Sequence, residues 1–151
     1  IQNKYQSMKI VDWEFEDTIL RIDSVQRYFE ANMALLSEEV RDEIFNKHGY
    51  VYTKVRDEVP THYGESCIVS NSLVADGCHI DGEVENSILF RGVRVAKGAK
   101  VSNCILMQDT QIGKNVELDY IISDKEVTVS DGRMLMGAPK HQLIISKGKT
   151  V

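Results

Sequence analysis

The sequence predicts a mainly β protein, a left-handed parallel β-helix of four to five coils preceded by a short α/β segment. Two observations predict it. The first is a six-residue rhythm in which a large aliphatic is followed four positions later by a small or apolar residue. Val74/Cys78, Ile80/Val84, Leu89/Val93, Val95/Ala99, Leu106/Thr110 and Ile112/Val116 all obey it. The second is a 17-residue register that aligns 89–105 with 106–122 and 123–139. Val95, Ile112 and Val129 then share a column, as do Val93, Thr110 and Val127. A short strand and a tight corner every six residues give three flat faces per coil, aliphatics inward. One such unit cannot bury its apolar side alone, so the coils must stack. An antiparallel sandwich with regular turns would not produce both patterns. Hexapeptide coils are an exception to the right-handed crossover rule.

The elements follow in order. Residues 1–23 hold one strand-like run, 9–15, where Val11, Trp13 and Phe15 alternate with acids. Trp13 reads as a core or domain-contact residue. Residues 24–47 read as two short helices. Ser24 caps the first, with Val25, Tyr28, Phe29, Asn32 and Met33 at helical spacing. Ser37 caps the second, placing Glu38 and Glu39 in its positive first turn, and Gly49 ends it. His48 falls in that helix's last turn, where a cation suits the dipole. A Tyr-Val-Tyr-Thr strand at 50–53 leads into the linker around Pro60. The organisation is thus 1–58 for the leading segment and linker, 59–139 for the β-helix and 140–151 for a C-terminal strand or tail.

The repeat is regular from about residue 67. Val74–Cys78 and Ile80–Val84 form a shorter coil, 15 residues ahead of Leu89. Asn71-Ser72-Leu73, Asn86-Ser87-Ile88 and Asn103-Cys104-Ile105 mark a recurring corner, where Tyr120 next takes the Asn column. Gly98, Asn115 and Gly132 mark another, residue types that tolerate a left-handed backbone. Arg133 breaks the small-residue column, so the solenoid is expected to end there.

Composition narrows the function classes. The 151 residues carry 18 Lys+Arg against 23 Asp+Glu, a net charge of −5, which argues against nucleic acid as partner. No apolar run is long enough to span a membrane, and residues 1–4 lack both an initiator Met and a signal core. The expectation is a cytoplasmic piece of a longer chain. Cys67, Cys78 and Cys104 form no C-x-x-C and read as reduced thiols placed for packing.

Candidate chemistry is sparse. His48, His62, His79 and His141 have no zinc-site spacing and no accompanying carboxylate cluster, so neither catalytic nor metal residues are assigned. His79 would be the general base if the chain were a hexapeptide-repeat acyltransferase, yet alternation with Cys78 and Ile80 turns it outward. No Gly-rich phosphate loop of either standard spacing occurs. Arg91, Arg94, Lys97 and Lys100 sit among acids as a solvated face. Lys125, Arg133, Lys140, Lys147 and Lys149 gather in the last 30 residues, either to hold a phosphorylated effector or as a solvated end cap.

The series formed by the Tyr28-Phe29-Glu30-Ala31-Asn32-Met33 helix, the Tyr52-Thr53 strand and the Asn71–Cys78 entry into hexapeptides resembles the C-terminal part of glucose-1-phosphate adenylyltransferase (ADP-glucose pyrophosphorylase). Val55-Arg56-Asp57-Glu58-Val59-Pro60-Thr61 and Glu85-Asn86-Ser87-Ile88-Leu89-Phe90-Arg91-Gly92-Val93 resemble the GlgD-type subunits of bacterial glycogen synthesis. The resemblance covers essentially the whole chain. It implies that residues 1–50 are the end of a nucleotidyltransferase domain and that the β-helix serves assembly and effector control. It also implies a homo- or hetero-oligomer with catalytic subunits that need Mg²⁺ and ATP, neither of them bound by this fragment. Active members carry Trp/Tyr-x-Asp-Val-Gly-Thr before the Tyr-x-x-Ala-Asn helix, the Asp helping to hold the metal. Here Arg21 takes the Asp position, Asp23 the Gly and Ser24 the Thr. A two-residue gap brings Asp23 to the Asp position but still loses the Gly-Thr. A cation there repels Mg²⁺, so the resemblance points to a non-catalytic, regulatory subunit. Asp124-Lys125-x-Val127-x-Val129-x-Asp131-Gly132 resembles the family's effector segment. Lys125 inherits the effector contact and Lys147 a second one, unless both are surface lysines. A hexapeptide acyltransferase and a pure oligomerisation scaffold are the alternatives.

Overall fold

The computed structural model describes residues 9, 11–47, 49–53 and 57–151. Two helices come first, α1 (Val25–Ala34) and α2 (Glu38–Phe45). Ser24 starts α1 as the sequence predicts. Its backbone is extended and its hydroxyl accepts from the Arg27 N–H at 3.2 Å, satisfying one orphan donor of the first turn. Ser37 precedes α2 without a side-chain cap bond, and there Glu38 and Glu39 complement the helix dipole instead. The second helix stops at Phe45 with Asn46 as its C-cap, so Gly49 (φ 108°) lies in the turn beyond it. His48 lies outside the described residues.

Two expected strands are not formed among the described residues: 11–15 and 50–53 have no ladder partners, and residue 10 of the first run lies outside the described residues. Trp13 is 81% exposed and Tyr52 92% exposed, so neither run buries an apolar face here. Alternation specifies a strand only where a neighbouring edge completes its hydrogen bonds, and the described residues supply no such edge. Trp13 touches Phe15 edge-on, with ring centroids 5.6 Å apart.

The rest is a parallel β-solenoid. The first coil carries β1 (His62–Tyr63), β2 (Ile68–Ser70) and β3 (Leu73–Val74). The second carries β4 (His79–Ile80), β5 (Glu83–Glu85) and β6 (Ile88–Leu89), and the third β7 (Arg94–Val95), β8 (Lys100–Ser102) and β9 (Ile105–Leu106). The fourth carries β10 (Gln111–Ile112), β11 (Glu117–Asp119) and β12 (Ile121–Ser123). The last carries β13 (Thr128–Val129), β14 (Met134–Met136) and β15 (Leu143–Ile145). Every third strand joins one sheet, giving three parallel five-stranded faces. The first face runs β1-β4-β7-β10-β13, the second β2-β5-β8-β11-β14 and the third β3-β6-β9-β12-β15. The stack begins at His62, so Cys67 lies inside the first coil and packs against the core rather than preceding it.

The register is the one the repeat predicts: Ile80 pairs with Val95, Val95 with Ile112, and Ile112 with Val129. These four are at most 2% exposed. The small-residue column of Cys78, Val93, Thr110 and Val127 fills the corners of the same core, each also at most 2% exposed. Thr110 keeps its hydroxyl satisfied by Ser123 at 3.1 Å, which is why a polar residue survives there.

The expected end at Arg133 is corrected. β14 pairs with β11, β15 pairs with β12, and Thr128 bridges Thr150 to add a further row on the first face. What changes after Arg133 is a corner, not the stack. Residues 137–142 loop out, closed by reciprocal Ala138–His141 backbone bonds of 2.9 Å, before β15 returns.

The third face is apolar on both sides. Ile105 and Ile122 point out of the solenoid, yet are 0% and 5% exposed. They pack with Phe29 of α1, flanked by Tyr28, Met33, Phe90 and Tyr120. Helix and solenoid are thus joined by a small second core.

Candidate functional site

The corner between the third and first faces repeats in every coil. Its turns stack through Gly92 N–H to Asp76 O, Asp109 N–H to Arg91 O, Glu126 N–H to Gln108 O and Gly148 N–H to Lys125 O. Gly77, Gly92, Asp109, Glu126 and Gly148 all hold φ between 59° and 74° in this column. The ladder brings Lys125 and Lys147, 22 positions apart in the chain, onto adjacent turns of one corner, one rung apart. Their surroundings are mixed in charge, since Lys147 Nζ lies 3.3 Å from Glu126 Oε1, with both groups more than half exposed. An exposed ion pair of this kind contributes little to stability, so it does not tie Lys147 firmly to Glu126. The Lys125 N–H is taken by the Asp124 carboxylate at 2.7 Å, a turn that leaves the lysine side chain outside the core.

The sequence position equivalent to the family's metal-binding carboxylate is occupied by ion-paired groups. Asp23 sits 3.5 Å from Arg21 and 2.7 Å from Arg27. Without a gap the position holds Arg21 itself, and with the two-residue gap it holds Asp23, whose carboxylate already faces two guanidinium groups. This arrangement does not fit a Mg²⁺ ion, which needs uncompensated oxygen ligands.

His79 is outward on β4, as alternation predicts, and its Nε2 lies 3.0 Å from Asp81 Oδ2. What the sequence reading missed is His62. It pairs in register with His79, and the two rings stack at 4.4 Å with 17° between their planes. The donor atoms of His62, His79 and Asp81 all lie within 4.8 Å of one another. The signal lies in the spacing: His62 and His79 stand one 17-residue repeat apart, ahead of residue 89 where the 17-residue register becomes plain in the sequence. A shallow groove continues along this face past Arg94, Gln111 and Thr128. His141 does not join it, and its backbone closes the 137–142 loop.

The cysteines are structural. Burial pushes the Cys104 thiol up to about 12, and burial likewise raises Cys78, so neither is a thiolate near neutral pH. Among the described residues no helix is long and apolar enough to cross a membrane.

A family model described as GlmU-like, C-terminal hexapeptide, matches residues 57–142. The chain belongs to this family. The matched span of this hexapeptide-family chain starts just before β1 and runs to the threshold of β15. Similarity to individual proteins reaches further. Over 148 residues, 98% of this chain and 43% of the relative, it is 41% identical to the glycogen biosynthesis protein GlgD of Bacillus subtilis (strain 168). It is 32% identical over 130 residues to glucose-1-phosphate adenylyltransferases of Bacillus mycoides (strain KBAB4) and Bacillus cereus (strain ATCC 10987 / NRS 248). Those matches cover 86% of this chain and 35% of each relative. The chain therefore spans less than half the length of these curated relatives, and the resemblance drawn from its residues is borne out.

Proposed function

We propose that the chain is the C-terminal solenoid region of a non-catalytic, regulatory and assembly subunit of an ADP-glucose pyrophosphorylase, acting in cytoplasmic glycogen synthesis. The observation that carries this reading is the 41% identity to a GlgD protein across 98% of the chain. Two features of the structure support its parts. Arg21 and Arg27 neutralise Asp23, the carboxylate that would otherwise stand nearest the expected metal position. The three-faced solenoid buries most of its inner columns, and outside the patch of the third face covered by α1 it presents an outer surface for contacts with other subunits. Lys125 and Lys147 are the proposed contacts for a phosphorylated effector, supported by their place on adjacent turns of one corner. The acyltransferase alternative is not favoured, because the relatives reported above are named for glycogen biosynthesis and adenylyl transfer and His79 is engaged with His62 and Asp81.

The test is co-expression of the chain, tagged, with a catalytic glucose-1-phosphate adenylyltransferase subunit. The expected result is a stable mixed oligomer by size-exclusion chromatography with light scattering, and no ADP-glucose from ATP and glucose 1-phosphate by the chain alone. ADP-glucose formation by the isolated chain, or two separately eluting species, would overturn the proposal.

A further inference from the structure

We propose that His62, His79 and Asp81 form a binding site for a divalent transition-metal ion of the zinc type at the open end of the first face. The donor set is two imidazoles and one carboxylate, the mixture that suits borderline ions such as Zn²⁺ rather than Mg²⁺ or Ca²⁺, which take oxygen almost exclusively. Three features of the fold build it. Parallel register places His62 directly beside His79, so two side chains distant in the chain leave neighbouring strands in the same direction. Their rings are already parallel, 17° apart. Asp81 follows His79 by two residues on the same side of the strand, and its Oδ2 lies 3.0 Å from the His79 Nε2.

Room for the carboxylate comes from Gly64, one repeat before Asp81. A Cβ at residue 64 would collide with Asp81 Oδ1. Zn²⁺ with bonds of about 2.0–2.2 Å needs donors roughly 3.3–3.6 Å apart in a tetrahedral site. The three donor atoms lie within 4.8 Å of one another, so rotation of partly exposed side chains closes the gap. β1 is the edge strand of its sheet, which leaves the remaining coordination positions to water. The next rung carries Arg94, then Gln111, so the imidazole pair is confined to the first two coils.

The experiment is isothermal titration of the metal-free 151-residue chain with Zn²⁺, alongside thermal melts with and without the ion. The expected result is one saturable site. His62→Gln and His79→Gln should each weaken it at least tenfold, on the order of a lost ligand's effect, and Asp81→Asn should weaken it measurably. Zn²⁺ should raise the melting temperature of the parent chain and not that of His62→Gln, because only binding to the native state shifts the midpoint. His141→Gln, a distant histidine, should bind as the parent does. Melting temperatures without metal separate ligand loss from misfolding, since His62 is exposed and His79 and Asp81 are only partly buried. The proposal is overturned by absence of saturable binding. It is equally overturned by binding that survives His62→Gln, or by binding that His141→Gln weakens as much.

Discussion

Asn71, Asn86, Asn103 and Tyr120 hold φ between 41° and 52°, a conformation that costs most side chains energy. Asparagine tolerates it, and stacking lets it gain something in return. Asn71 Nδ2 donates to Asn86 Oδ1 at 2.6 Å, and Asn103 Nδ2 donates to Asp119 Oδ1 at 2.8 Å. The corner is therefore a polar ladder on a left-handed backbone. Tyr120 breaks the residue type without breaking the conformation, and its ring packs 5.9 Å from Phe29, so aromatic contact offsets the strain. Asn103→Ala should lose both the bond and the tolerance, at about 2 kcal/mol in denaturant unfolding. Asn103→Gly should cost only about 1 kcal/mol, because glycine keeps the backbone and forfeits the hydrogen bond alone. Equal costs for the two substitutions would show that the corner's conformation carries no penalty for alanine.

At the scale of elements, legibility depended on whether an element satisfies itself. The coils were legible because every inward aliphatic meets its own repeat one rung away, so Ile80, Val95, Ile112 and Val129 announce their register without outside help. The helix α1 was legible from Ser24 and its apolar spacing. The runs around Trp13 and Tyr52 alternate as strands do, yet the described residues offer them no edge to pair with. The end of the stack was misread at Arg133 because the rule watched one column, whereas the 137–142 loop merely lengthens one corner. The third face held a further signal. Ile88-Leu89 and Ile105-Leu106 put two adjacent aliphatics on one strand, a face covered on both sides. That is where α1 docks. Phe29→Ala should remove the side chain that fills this second core and cost about 3 kcal/mol, with a lower melting temperature. Ser24→Ala, which only frays the same helix, should cost about 1 kcal/mol. If Phe29→Ala left the solenoid's melting unchanged, helix and solenoid would be folding as independent units.

For the whole molecule, a solenoid is stabilised mainly by contacts between successive rungs, and its ends are where apolar surface meets water. At the lower end that role falls to β15 and the tail. Ile145 is 6% exposed beneath Ser123 and the core, and Val151 packs against the same cluster. The Thr128 N–H donates to Lys149 O at 2.9 Å and the Val151 N–H to Thr128 O at 2.9 Å, so the tail continues the ladder instead of trailing from it. These contacts also fix the Lys147 turn beneath Lys125, coupling the proposed effector corner to the seal of the stack. Ile145→Asp places an unpaired carboxylate under the last rung. It should destabilise the chain by about 3 kcal/mol or more. The loss should spread upward from the bottom rung, because fraying it exposes Val129 and Ile121 in turn. Hydrogen exchange decides the point rung by rung: amides of β12 and β13 should lose protection first, while those of β7 and β8 keep theirs longest. Uniform loss across all five rungs would mean the stack unfolds as one unit and Ile145 supports the whole of it. Unchanged protection at β12 would mean that the tail is an ornament on a stack already sealed by Leu135.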